Sequence, residues 1–222
     1  NDALSSNVCI CSWSSLAAGM NAARDGHDVV MCLSDYCALD NYQADVRYQK
    51  KSMPGMLDLR KAYEFDPVPA GSNSHLIPNI KGGQCMLWTE YIESVEELEY
   101  MLLPRLCAFA ECLWSPRDSK DWRTFRYKIE SHKNALQKKG YNYCPGSFKP
   151  VMTKTPIGKG RYEMKLETEV MNTYVFFTTD GSDPTQSSQI YIAPVSLESG
   201  TIVKTLSVYD GKQQEGIYEF HL

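Results

Sequence analysis

The stretch Lys81–Ser115, KGGQCMLWTEYIESVEELEYMLLPRLCAFAECLWS, constrains the fold more than any other. Gln84–Leu87 is a short, mostly apolar run of the length of a buried strand. Gly82-Gly83 opens it, and Trp88, Glu90 and Tyr91 follow where a strand would leave a sheet. Ser94 and Glu97 form a Ser-x-x-Glu capping box, which predicts a helix with apolar positions Val95, Leu98, Met101 and Leu102. Pro104 interrupts that helix, because proline lacks an N–H and clashes with the preceding turn. A second helix is expected from Arg105 to about Trp114. A strand that ends in Trp and Glu and passes into helix is how a (β/α) barrel presents its site residues. A Trp face stacks on the apolar face of a pyranose, and a carboxylate accepts hydrogen bonds from ring hydroxyls. On pattern alone, a packed core aromatic and a solvated loop carboxylate fit Trp88 and Glu90 at least as well.

Two further strands precede this stretch. Asn7–Trp13, NVCICSW, reads as a buried strand with a Trp at its end. Ser14 or Ser15 caps a helix to about Asp25, with Leu16, Met20 and Ala23 on its apolar face and Gly26 at its C-terminal end. His27–Leu33, HDVVMCL, is continuously apolar after its start, as a parallel strand covered on both faces would be. The order is therefore strand, helix, strand. Ser34–Gln43 follows at the same end as Trp13 and Trp88. The segment from Lys50 to Ile80 is rich in proline and irregular, with a short helix around Leu57–Phe65. Asp118 or Ser119 caps a last helix to about Lys139, with Trp122, Phe125, Ile129, His132 and Leu136 as its packed stripe.

Composition changes at Tyr141–Pro150, YNYCPGSFKP, which marks a domain boundary between residues 1–145 and 150–222. Beyond it, Thr173–Thr179, Gln189–Ile192, Thr201–Tyr209 and Ile217–Leu222 read as short strands. Asp180-Gly181 and Asp210-Gly211 read as turns between them. The tail is thus expected to be a small all-β sandwich. A (β/α)₈ barrel takes about 250 residues and eight strands, and only three strand–helix units are visible here. Three parallel strands alone would leave unpaired edges. The expected fold is α/β: the last three strand–helix units of a (β/α)₈ barrel, followed by the sandwich. The alternative is a self-sufficient three-layer α/β domain closed by a second copy of the chain.

Bulk numbers exclude several functions. A net charge of −4 over 222 residues argues against nucleic acid or an anionic membrane as partner, since either needs a basic face. No apolar run approaches the roughly 20 residues of a membrane span. Eight cysteines lie mostly within apolar runs without a CxxC pair, so they read as buried thiols rather than a zinc site. No metal and no cofactor is expected.

GGQCMLWTEY (Gly82–Tyr91) followed by PRLCAFAECLWS (Pro104–Ser115) resembles glycoside hydrolase family 20, the exo-β-N-acetylhexosaminidases. GHDVVMCLS (Gly26–Ser34) and the Leu-Asp-x-x-Gln segment (Leu39–Gln43) also match the family's pattern. FFTTDGSDPTQSSQIY (Phe176–Tyr191) resembles the small β-sandwich of chitobiase-like members. The resemblance implies a retaining glycosidase in which the substrate's own 2-acetamido oxygen attacks the anomeric carbon. A Glu then serves as general acid/base, and the Asp before it orients the acetamido group. That Asp-Glu pair belongs to the family's fourth strand, and no Asp-Glu dipeptide stands at a strand end here. What the resemblance implies for this chain is the wall of the sugar pocket. Trp88 stacks on the pyranose, Glu90 and Asp40 accept hydrogen bonds from O4 and O6, and Trp13 walls the acetamido side. The family carries a Tyr two residues before the equivalent of Asp40, whereas this chain has Ala38. Tyr36 would face the same side if the segment were extended, and is the candidate to replace it. The implied partners are an N-acetylhexosamine-terminated glycan and either an N-terminal barrel half or a second copy of the chain. The implied location is secreted or periplasmic.

Overall fold

The computed structural model describes residue 5 and residues 7–222, so the first residues of the expected barrel domain, 1–4 and 6, lie outside it. The chain forms two compact units that meet in sequence between Cys144 and Pro145. The first is mixed α/β. Strand β1 (Cys9–Ser12) leads through α1 (Leu16–Arg24) to β2 (Asp28–Met31). Then come α2 (Ser34–Cys37), β3 (Asn41–Tyr42), β4 (Met53–Met56) and α3 (Leu59–Tyr63). Strand β5 (Ile80–Gly83) precedes α4 (Val95–Leu102), α5 (Arg105–Trp114) and α6 (Trp122–Lys138). β1, β2 and β5 form a parallel sheet in that order. Among the described residues, no helix is long and apolar enough to cross a membrane.

Local chemistry explains these boundaries. The Ser15 hydroxyl accepts the Ala18 N–H at 3.2 Å and starts α1. The Ser94 hydroxyl does the same for Glu97 at 3.2 Å, and the Glu97 carboxylate accepts the Glu93 N–H at 2.9 Å. The third strand lies earlier than the apolar run suggested. It is Ile80–Gly83, not Gln84–Leu87. Gly82 adopts φ 136°, and the ladder to β2 skips a residue there. Gly83 is required by packing, because a Cβ would stand 2.5 Å from Cε1 of Phe65. Past Gly83 the chain stays close to the sheet through Gln84 N–H to Met31 O at 2.9 Å and a bridge from Met86 to Ala38. It is no longer a strand because β2 ends at Met31 and α2 turns away.

The core of this unit joins the sheet to its helices. Val29, Met31, Leu57, Phe65, Ala108 and Ile129 are all buried in it. Phe65 stacks on Phe109 of α5 at 5.0 Å, and Tyr63 stacks on Phe125 of α6 at 4.5 Å. α6 starts later than expected, at Trp122, because the Asp121 carboxylate caps Thr124 at 2.8 Å while Arg117–Ser119 forms a 3₁₀ turn. Its buried stripe is Phe125, Ile129, Lys133 and Leu136. His132 is exposed, so it is not a packing histidine. Four residues on from Ile129, Lys133 falls closer to the core line, and its ammonium reaches Glu130 at 2.9 Å. The cysteines also divide. Cys32, Cys37, Cys112 and Cys144 are buried, but Cys9 and Cys11 are exposed. They share the face of β1 opposite Ile10, the residue that packs against the core.

One side chain ties the long connections together. Arg105 is wholly buried at the start of α5. Its guanidinium donates to the carbonyls of Asn41 at 3.0 Å, Leu57 at 2.9 Å and Met101 at 2.6 Å, and also to that of Leu39. Gln43, buried nearby, donates to Tyr100 O at 2.7 Å and fixes the same segment to α4.

The second unit is all-β. Its strands are β6 (Val151–Gly158), β7 (Arg161–Glu167), β8 (Tyr174–Thr178) and β9 (Gln189–Ile190). They are followed by β10 (Val195–Glu198), β11 (Ile202–Tyr209) and β12 (Lys212–His221). One sheet runs β10-β7-β6 and the other β12-β11-β8-β9, both antiparallel. Met164 and Leu166 of the first and Val175, Phe177 and Val203 of the second share a core. Asp210-Gly211 is a tight hairpin turn, with Tyr209 opposite Lys212 and both turn residues at positive φ, 50° and 69°. Asp180-Gly181 instead opens a longer loop. The Asp180 carboxylate accepts the Ser182 N–H at 3.0 Å, and Asp183 pairs with Lys204 at 2.7 Å.

Two stability outcomes follow. Arg105→Met strips the donor from four carbonyls, three of them buried, and should destabilise the first unit by at least about 3 kcal/mol. All four tryptophans lie in that unit, so urea unfolding followed by tryptophan fluorescence reads it directly. Gly211→Ala meets no atom within 4 Å and costs only the backbone conformation, about 1–2 kcal/mol. Faster amide exchange in β11 and β12, with the fluorescence transition unmoved, is the expected readout.

Candidate functional site

Three parallel strands deliver their C-terminal ends to one edge of the sheet. Trp13 follows β1, Ser34 follows β2, and the segment Gln84–Trp88 follows β5. There they border an open cavity of about 710 Å³. Trp13, Ala38, Asp40 and Trp88 line it, together with Gln84 and the β4 residues Met53–Met56. Trp13 is 62% exposed and Trp88 61%. Two indoles therefore stand with open faces beside one cavity, which is unusual for residues of this size unless a flat apolar ligand face covers them.

Asp40 is the polar centre. It is only 5% exposed, and among the described residues its Oδ1 has no hydrogen-bond partner. Burial pushes its carboxyl above the usual aspartate range. The nearby Glu90 carboxylate pushes the same way, while the backbone amides of Asp40 and Trp88 and the Arg105 guanidinium oppose it. The carbonyls on either side of Asp40, those of Leu39 and Asn41, are both held by Arg105. Asp40 is thus placed by a rigid backbone and presents an acceptor that no described residue satisfies. Such a group costs stability unless a ligand donor reaches it.

The other expected residues fall less evenly. Glu90 is exposed in the turn after Trp88, outside the cavity lining, and communicates with it through its charge on Asp40. Tyr36 does not reach the cavity. The segment Ser34–Cys37 is a helical turn rather than extended chain, so the alternation that would have aligned Tyr36 with Ala38 does not apply. Its ring packs 6.3 Å from that of Phe65, with Lys61 Nζ 5.6 Å away. Ala38 does line the cavity and carries the bridge to Met86. Sequence reasoning missed β4 and Lys61, which close one side. It also missed Arg105 as the anchor of Asp40, although the Pro-Arg pair carried the signal as a motif. Among the described residues, no cluster of three or more His, Cys, Asp or Glu is disposed to hold a metal ion.

Comparison with known proteins covers both units. Residues 1–117 match the model of the glycosyl hydrolase family 20 catalytic domain, and residues 158–219 that of the chitobiase/β-hexosaminidase C-terminal domain. A β-hexosaminidase of Porphyromonas gingivalis is 27% identical over 215 residues, covering 94% of this chain and 27% of that protein. A β-hexosaminidase of Vibrio furnissii is 34% identical over 112 residues, covering 49% of this chain and 18% of that protein. Among solved structures, the family 20 exo-β-N-acetylglucosaminidase of Vibrio harveyi in complex with N-acetylglucosamine superimposes with a TM-score of 0.57 at 33% identity. That match covers 64% of this chain and 23% of the other. The chain thus spans about a quarter of the length of these relatives. With its first 117 residues matched to the catalytic-domain model and its site built at the ends of parallel strands, the chain belongs to glycosyl hydrolase family 20.

Proposed function

We propose that this chain supplies the sugar-gripping wall of a β-N-acetylhexosaminidase. In this reading residues 1–145 are the last three strand–helix units of a (β/α)₈ barrel, and residues 150–222 an appended β-sandwich. Trp88 stacks on the terminal pyranose and Trp13 walls the acetamido side. Asp40 and Glu90 accept hydrogen bonds from O4 and O6. The observation that carries the reading is Asp40: a buried carboxylate with an oxygen unpartnered among the described residues, lining one cavity with two open indoles at the C-terminal edge of a parallel sheet. A sugar offers both things this arrangement lacks, hydroxyl donors and an apolar ring face.

The chemistry is divided between this chain and another part of the barrel. The 2-acetamido oxygen attacks the anomeric carbon, and a Glu outside these residues protonates the leaving oxygen. Here Asp40 and Trp88 fix the ring so that the acetamido group meets the anomeric carbon. The partner is an N-acetylhexosamine-terminated glycan, and the site is completed by an N-terminal barrel half or, failing that, a second copy of the chain. Ala38 favours a second reading, a carbohydrate-binding relative with little turnover. No tyrosine hydroxyl replaces the missing one, because Tyr36 is turned to Phe65.

The chain alone should not hydrolyse an aryl N-acetyl-β-glucosaminide, and supplying the upstream part of the barrel should confer turnover. In that assembled protein, Asp40→Asn and Trp88→Ala should each lower kcat/KM by roughly 10- to 100-fold. Persistent inactivity of a folded, assembled protein that still binds N-acetylglucosamine would favour the binding reading instead.

Asp40 also links function to pH. Its raised carboxyl binds a proton more tightly in the folded than in the unfolded chain. Its contribution to stability is therefore full below the ordinary aspartate range and is lost as pH rises through the folded value. Asp40→Asn should make the first unit more stable than the parent at pH 7, with the difference shrinking as pH falls towards 4. Denaturant unfolding at both pH values tests the sign.

A further inference from the structure

The wall formed by Asp40 and Trp88 has a second side. The two residues, with Met53, line the cavity described above and also a separate cavity of about 380 Å³. This second space lies between the segment Tyr48–Met53 and the approach to α4, where Tyr91, Ser94 and Tyr100 close it. Its volume falls within the roughly 300–1,000 Å³ typical of small-ligand sites. Its lining comes from neighbouring loops and one helix of this unit.

The lining chemistry selects a ligand class. Three aromatic residues with accessible rings meet there: Tyr48 at 46% exposure, Tyr91 at 39% and Trp88 at 61%. Charge is nearly cancelled within the site. Lys50 pairs with Glu97, and Lys51 lies 4.5 Å from the centre of the Tyr91 ring. The Glu96 carboxylate offsets the Lys51 ammonium, so neither sign of charge dominates the lining. The neutral polar side chains of the lining are hydroxyl and amide groups, Ser52, Gln49 and Asn142 among them, beside the nine-tenths-buried Asp40 carboxyl that the two cavities share. Aromatic faces with neutral hydrogen-bonding groups and one buried acceptor suit a neutral, hydroxyl-rich ring.

We propose that the cavity between Tyr48–Met53 and α4 is a second saccharide site, which holds a neutral sugar unit back to back with the sugar in the first cavity across the Asp40–Trp88 wall. The protein would then hold two sugar units of one branched or extended glycan at once. Two modest sites that share a ligand reinforce one another through effective concentration. The proposal shares Asp40 and Trp88 with the proposed function, but it needs neither hydrolysis nor the rest of the barrel.

The test is an amide NMR titration of the isotope-labelled full chain with N-acetylglucosamine and, separately, lactose. Shifts at residues 48–52 and 94–97 report the second cavity, and shifts at Trp13 and Met53–Met56 the first. At millimolar sugar, the first-named group should respond, and Tyr91→Ala should weaken that response about tenfold while leaving the other group unchanged. Trp13→Ala should do the reverse. Tyr91→Leu, which keeps bulk without an aromatic face, replaces Tyr91→Ala if the latter loses spectral dispersion. Silence at residues 48–52 and 94–97 with either sugar overturns the proposal. So does a response there that survives both Tyr91→Leu and Tyr48→Leu at full strength. A response there with Trp13 and β4 silent supports the second site independently of the proposed function, whose site another part of the barrel completes.

Discussion

A single buried guanidinium organises the first unit. Arg105 collects carbonyls from the segment after β2, from the approach to α3 and from the end of α4, and none of these is held to another by a long β-ladder. Burying an arginine is costly unless its donors are met. Here four donations from its two terminal nitrogens go to backbone oxygens, which hold the charge in place. Asp40 lies within reach of it and feels its field. The same contact therefore fixes where the Asp40 backbone sits and moderates how strongly burial resists its ionisation.

The candidate site is built from groups that lower the stability of the unliganded chain. A buried carboxylate with an open oxygen and two exposed indoles are each unfavourable in water, and a protein selected for stability alone would replace them. Their grouping at the ends of β1, β2 and β5 is what distinguishes a site from scattered surface defects. Asp40 and Trp88 stand at the meeting point of two cavities, so one pair of side chains sets the shape of both.

The parts legible in the sequence were those written in local chemistry. Ser15 and Ser94 announce their helices because an N-cap works within four residues, and Asp210-Gly211 announces its hairpin for the same reason. Trp13, Asp40 and Trp88 could be placed at one sheet edge once the strands were read as parallel. Illegible were features decided by distant contacts. The position of β5 depends on Gly83 lying under Phe65, eighteen residues away in the chain. The rotation of α6 that buries Lys133 and exposes His132 depends on which neighbours it meets. β6 and β7 alternate too weakly to be read, since β6 is mostly exposed and β7 buries only Met164 and Leu166. Tyr36 was misjudged because a four-residue helical turn replaced an extended segment, and no cap announces it.

The close approach at Gly83 reaches further than the strand it belongs to. Phe65 rests on Gly83 on one side and stacks on Phe109 on the other, and Phe109 lies one helical turn beyond Arg105 on α5. Sheet, ring pair and helix act as a stiff linkage whose far end is the guanidinium. Bulk added at residue 83 would displace the rings and lever α5 outward, moving the Asp40 carboxylate without touching it. The tolerance of the candidate site to mutation is therefore set partly by a residue that has no side chain.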